Sequence, residues 1–251
     1  MTFARRLEHD YRVRFDEAGP DGLLRASGYL RFAQDLAWLH SESGGFGREW
    51  YSERGLTWLV RAIELDIIGE IDYGARLTVS TEVIGFRRVW ARRRSEFMEH
   101  GSERKVAGAI NDWVLLNERA RPVRPPAEII EAFTPLEADF TPLRIKAGDP
   151  ASDAARVEFG PRRSELDPMA HVNNAVYLDY LDELYSASSG SLSLPAPRRY
   201  RAEFLASAEH GAALVGSGWA EGRGWSYLLE DRERPLLRAQ LETDPATWVG
   251  G

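Results

Sequence analysis

Apolar and polar residues alternate in short runs along most of this chain, and twice the alternation gives way to a helical period. Tyr11, Val13 and Phe15 alternate with Arg12, Arg14 and Asp16, which predicts a half-buried strand. Tyr29, Phe32, Ala33, Leu36 and Leu39 then recur at helical spacing, with Arg31, Gln34 and Asp35 on another face. Strands are predicted at 59–68, 76–84, 89–99 and 105–117. Pro122, Pro125 and Pro126 close that run ahead of a short helix at 127–133. The series then starts again. Val157 and Phe159 mark a strand. Ala175, Leu178, Leu181 and Tyr185 form a helical stripe, with Asp179, Asp182 and Glu183 on the opposite side. Further strands are predicted at 200–206, 212–221, 226–231 and 235–243.

The two series match at a constant offset of 148 residues, which carries Pro20 to Pro168, Tyr29 to Tyr177, Leu30 to Leu178, Asp35 to Glu183 and Leu36 to Leu184. With small loop differences, Glu64 resembles Glu203 and Gly74 resembles Gly211. The shared order implies a duplication. Strand runs without alternating helices exclude a doubly wound sheet and predict an α+β fold. One long helix wrapped by an antiparallel sheet, occurring twice, is the tandem hot-dog arrangement. The expected division is a first domain over 1–133, a linker rich in proline and glycine over 134–153, and a second domain over 154–251.

Composition narrows the function more than the fold. The chain has 251 residues, 43% hydrophobic and 28% charged, which suits two globular domains. It has no cysteine, so disulfides, thiolate metal sites and a cysteine nucleophile are excluded. No apolar run of signal-peptide or membrane-span length occurs, and a soluble cytoplasmic protein is expected. A net charge of −7 argues against nucleic-acid binding. Local basic clusters remain. Arg198, Arg199 and Arg201 are read either as a solvated face or as a docking patch for an acidic or phosphate-bearing carrier. No G-x-S-x-G elbow, P-loop, dinucleotide turn or zincin histidine pair is present, so no cofactor or metal is expected.

The densest polar stretch is Asp167-Pro168-Met169-Ala170-His171-Val172-Asn173-Asn174, just ahead of the second helix. Backbone N–H groups at a helix start, here from about Val172 to Ala175 and with them Asn174, are expected to point outward unpaired and can hold an oxyanion. Glu203, on the following strand, would cost stability on a core-facing position without a partner, and His171 is the natural candidate. The plain readings stay open beside this one. Asn173 and Asn174 can serve as a helix cap, Asp167 can close an Asx-turn, and Glu203 can be a salt-bridge partner. His9, His40, His100 and His210 lack comparable surroundings.

These residues resemble the acyl-acyl-carrier-protein (acyl-ACP) thioesterases of plants and bacteria. Tyr11-Arg12-Val13-Arg14 with Glu17-Ala18-Gly19-Pro20-Asp21 is similar to that family's opening strand and turn, and Leu56-Thr57-Trp58-Leu59-Val60 to its central first-domain strand. His171-Val172-Asn173-Asn174 followed by Tyr177 resembles its catalytic signature, and Tyr200-Arg201-Ala202-Glu203 the strand bearing its second carboxylate. The resemblance implies catalytic positions at Asp167, His171 and Glu203, with Asn173 beside them, and an acyl-chain pocket in the first domain. It implies hydrolysis of fatty acyl thioesters, on acyl carrier protein or CoA, in fatty acid biosynthesis, without a cofactor, by a pseudo-dimeric monomer or a homodimer. Two departures matter. Met169 stands where the family carries an amide, and Phe204 where plant members often carry a cysteine. A hot-dog enoyl-thioester hydratase and a non-catalytic acyl-binding protein are the rival readings.

Overall fold

The computed structural model describes residues 4–133, 140–146, 148–192, 194–232 and 234–243. The first half supplies β1 (Arg6–Arg12), α1 (Ala26–Ser43), α2 (Arg48–Glu53), β2 (Leu56–Ile67), β3 (Arg76–Arg87), β4 (Trp90–Glu99), β5 (Lys105–Asn117) and α3 (Ala127–Phe133). The second supplies β6 (Ala155–Phe159), α4 (Val176–Ser189), β7 (Arg198–Phe204), β8 (Leu214–Glu221), β9 (Gly224–Asp231) and β10 (Arg234–Glu242). All ten strands join one antiparallel sheet in the order β1-β3-β4-β5-β2-β7-β10-β9-β8-β6. Read outward from the β2–β7 junction, the two halves have the same topology.

The junction obeys a local two-fold. β2 and β7 pair antiparallel, with Ile63 opposite Ala202, and with Ala62–Glu203 and Glu64–Arg201 on either side. The matched acids Glu64 and Glu203 therefore sit symmetrically about the junction. Arg31 on α1 reaches Asp179 on α4 at 3.2 Å, across a separation of 148 residues. That is the repeat offset, so a residue meets its own counterpart, as at an isologous dimer interface.

Alternation along β7 assigns its faces. Tyr200 donates its hydroxyl to Asp182 of α4 at 2.6 Å, and Phe204 packs edge-on against Tyr177 of α4 with ring centroids 5.4 Å apart. Tyr200, Ala202 and Phe204 thus face the helices, and Arg199, Arg201 and Glu203 leave on the other side. There the segment 140–146 crosses the sheet as a strap. Arg87 donates to the Phe140 carbonyl at 2.7 Å, and Asp112 takes both Arg92, at 2.7 and 2.8 Å, and the Leu143 N–H at 2.9 Å. Phe140 and Ile145 are buried beneath it. Of the linker expected at 134–153, residues 134–139 and 147 lie outside the described residues.

Two local expectations differ from the structure, and one short helix is unexpected. The first strand ends at Arg12, before Phe15, because Glu17 accepts the Arg14 N–H and guanidinium and turns the chain; Phe15 is left 83% exposed. The acids of α4 expected away from its apolar stripe are engaged, Asp179 with Arg31 across the junction and Asp182 with Tyr200 of the adjoining β7. The six-residue α2 is too short to leave a periodic signal. Among the described residues no helix is long and apolar enough to cross a membrane.

Burial pushes the Asp182 carboxyl up to about 7. The folded protein therefore binds a proton that the unfolded chain releases between the ordinary carboxylate range and about pH 7. The stability associated with that proton is complete in acid and is lost as pH rises through 7. Asp182→Asn, which keeps the acceptor for Tyr200, should raise the melting temperature most above pH 7 and leave it unchanged near pH 4. At the junction, Asp66→Ala removes the carboxylate to whose two oxygens Arg199 donates at 2.5 and 2.7 Å, in a half-buried pair. Denaturant titration should record a loss of about 3 kcal/mol.

Candidate active site

The same turn is built twice ahead of the two long helices. In the second half, the Asp167 N–H donates to His171 O at 2.8 Å, Val172 N–H to Ala208 O at 2.9 Å, and Asn173 N–H to Glu165 O at 2.9 Å. In the first half, Gly19 donates to Leu23 O at 2.8 Å, Leu24 to Ile71 O at 2.9 Å, and Arg25 to Glu17 O at 3.1 Å. Gly22 occupies the left-handed position with φ 80°; its counterpart, Ala170, holds φ 62° and carries a methyl group there. The scaffold is shared, but Leu23, Leu24, Arg25 and Ala26 stand where the second half has His171, Val172, Asn173 and Asn174. Such strain in a non-glycine residue is tolerated where neighbours over-determine the backbone, as the hydrogen bonds of the second turn do at Ala170. Asp167 Oδ1 accepts the N–H groups of Met169 at 2.8 Å and His171 at 3.3 Å, which closes an Asx-turn.

The helix-start donors are mostly used. Val172 and Asn173 N–H are bonded as above, and Ala175 N–H donates to the Asn173 side-chain oxygen at 2.9 Å. Val172 is therefore not a free oxyanion donor. Among the described residues the Asn174 and Tyr177 N–H groups have no acceptor, and Asn174 lies nearer the His171 turn. Asn173 closes an Asx-turn just ahead of α4, with its carboxamide oxygen turned onto the backbone. The His171 Nδ1 is sealed from solvent and has no hydrogen-bond partner among the described residues.

Two expected groupings do not form. Glu203 is 4% exposed, but it lies on the sheet face away from the helices, where it accepts from the Arg144 guanidinium and from the Ile145 N–H at 3.0 Å. Strand alternation, with Phe204 committed to Tyr177, keeps its carboxylate on the opposite side from the helix that His171 precedes. Nor are Arg198, Arg199 and Arg201 a free docking patch. Arg198 pairs with Glu70 at 2.8 Å, Arg199 with Asp66, and Arg201 with Glu64 at 3.1 Å, all acids of β2 or of the residues just after it.

A cavity of about 670 Å³ adjoins the turn. Its walls are Gln34, Ala37, Trp38 and Ser41 of α1, Arg48 and Tyr51 of α2, Trp58, Val83, Ala91, Arg93 and Trp113 of the sheet, and Ile129 and Phe133 of α3. The second half contributes Pro168 and Met169, from within the Asp167–His171 turn. Trp38 and Met169, each 41% exposed, mark the rim. Sequence periodicity does not find this lining, because seven helices and strands and one turn supply it. His40 is likewise more than its sequence suggests. It is fully buried, with Nε2 2.8 Å from Ala4 O and Nδ1 2.9 Å from Arg93, under the ring of Phe133.

Fold and site together define a double hot-dog protein with one chemically equipped turn facing an apolar cavity in the other half. Residues 5–133 match the model of the acyl-ACP thioesterase N-terminal domain, and residues 148–198 that of the C-terminal domain. The chain belongs to the acyl-ACP thioesterase family. It is 24% identical to a chloroplastic palmitoyl-acyl carrier protein thioesterase of Cuphea hookeriana, over 97% of this chain and 63% of that protein. It is 25% identical to a chloroplastic acyl-[acyl-carrier-protein] hydrolase of Cuphea viscosissima, over 70% of this chain and 46% of the relative. The chain thus spans about half to two thirds of the length of these curated relatives. Among solved structures, a 12:0-ACP thioesterase from Umbellularia californica superposes with a TM-score of 0.79 at 20% identity, over 95% of this chain and 97% of the other. An acyl-ACP thioesterase from Bacteroides thetaiotaomicron gives 0.76 at 15%, with the same coverage. At these identities the likeness carries the fold.

The turn geometry separates two roles for Asp167. Asp167→Asn keeps an oxygen for the N–H groups of Met169 and His171 and should leave stability within about 0.5 kcal/mol, whereas Asp167→Ala should lose about 1 kcal/mol in denaturant titration.

Proposed function

We propose that this protein hydrolyses fatty acyl thioesters, with acyl-ACP the favoured substrate, and releases free fatty acid and carrier thiol in fatty acid biosynthesis. One observation carries the reading: the apolar cavity of the first half is bounded at its rim by Pro168 and Met169, inside the turn that holds Asp167 and His171. An acyl chain lodged there brings its thioester to the helix start, as a pocket of 300–1,000 Å³ does for a ligand of this size.

Water adds to the thioester carbonyl carbon. The carbonyl oxygen takes up the negative charge and accepts the Asn174 N–H, at the positive end of α4. The His171 imidazole removes the proton of the attacking water and returns it to the departing thiolate as the carbon–sulfur bond breaks. Asp167 acts through the backbone, holding Met169 and His171 in the turn. Glu203 is assigned a positioning role, through the strap it fastens at Arg144 and Ile145. Phe204 leaves no thiol for a covalent route. The relatives named above are acyl-carrier-protein enzymes and support the same carrier here; CoA remains the alternative carrier. The cytoplasm is the proposed compartment.

A thiol-release assay against acyl-ACP and acyl-CoA of graded chain length tests this reading. Fatty acid and thiol should appear in equal amounts, and His171→Ala should lower the rate by about 10²–10⁴. Loss of enoyl absorbance from trans-2-enoyl thioesters without thiol release would instead favour a hydratase.

A further inference from the structure

The cavity wall is apolar except at a few points, and one of these is a buried charge. Arg93 of β4 is 7% exposed and lines the cavity. Its strand neighbours are each matched by an acid, Arg92 by Asp112 at 2.7 Å and Arg94 by Glu82 at 2.8 Å. Arg93 has no carboxylate within ion-pair reach among the described residues. Its Nη1 donates to His40 Nδ1 at 2.9 Å and to Thr81 Oγ1 at 3.2 Å; Nε and Nη2 donate to no described residue.

The histidine brings no compensating charge. Ala4 O can only accept, so His40 Nε2 carries the ring proton and Nδ1 is left as an acceptor. Burial, and next the adjacent Arg93, hold this imidazole down to about 4, which keeps it neutral. Burial also lowers Arg93, to about 10, so the guanidinium stays charged at neutral pH. The Phe133 ring, 5.7 Å from the guanidinium carbon, is a distant partner. A desolvated cation with unused, planar donors is costly in an empty apolar site and useful in one whose ligand supplies oxygen.

We propose that Arg93 reads an oxygen function on the acyl chain, so that the preferred substrates are thioesters whose chain carries a hydroxyl, keto or carboxylate oxygen within reach of Nε and Nη2. This rests on the thioesterase reading for its turnover, but not for its binding.

The test uses the full chain and carrier-bound thioesters of one length: hexadecanoyl, hydroxyhexadecanoyl and ketohexadecanoyl with the oxygen moved along the chain, and the half-thioester of hexadecanedioic acid. Wild-type kcat/KM should favour at least one oxygenated chain over the plain one by tenfold or more, a contrast expected where a buried donor would otherwise be unpaired. The hydroxyl, keto and carboxylate arms identify which oxygen is read. Arg93→Met should abolish the preference and improve turnover of the plain chain. Because Nη1 also holds His40 and Thr81, that variant could fail to fold; the wild-type contrast then decides alone. Calorimetric binding of the corresponding free acids separates the two readings. If no thioester is cleaved yet the oxygenated acids bind tighter, hydrolysis fails and the Arg93 inference stands. Equal kcat/KM and equal binding for plain and oxygenated chains overturn it.

Discussion

The pairing of β2 with β7 is the contact on which the rest of the molecule depends. It joins two sheets that would each expose an edge, and so converts two small domains into one continuous ten-stranded surface. Edge strands leave unpaired N–H and C=O groups, and matching them internally removes that liability within a single chain. The side chains reinforce the join on both faces. Outside, Arg199 and Arg201 meet Asp66 and Glu64. Inside, Arg31 of the first half meets Asp179 of the second. A duplicated chain can place such complementary charges where a symmetric homodimer would face arginine with arginine.

The same duplication explains how the site arises. Both halves build an identical hydrogen-bonded turn at the start of a long helix, and a two-fold sets each turn against the opposite half. The first turn carries Leu23, Leu24, Arg25 and Ala26 where the second carries His171, Val172, Asn173 and Asn174. The cavity divides unequally too: its walls come from the first half, and Pro168 and Met169 at its rim from the second. Neither half holds both the cavity and the histidine turn.

Inside the cavity, desolvation sets the chemistry. Trp38, Trp58 and Trp113 present hydrocarbon, and that environment is what makes Arg93 and His40 unusual. Each would be ordinary at the surface; enclosed together, one is forced neutral and the other is left charged with no acid beside it among the described residues.

Much was legible in the letters. The period of 2 against 3.6 located the long helices and nearly every strand, the 148-residue offset exposed the duplication, and the density of polar groups from Asp167 to Asn174 marked the turn. These are local properties, fixed by side-chain spacing and by what a turn or helix start demands of its residues. Tertiary structure alone decided which face of β7 points to the helices, and with it the fate of Glu203: one step of alternation sends an acid to the strap and away from the imidazole. It also decided that Arg198, Arg199 and Arg201 are consumed at the junction and that His40 lies under Phe133 against Arg93. Such facts depend on partners distant in sequence, and periodicity records which residues are buried without recording what they are buried against.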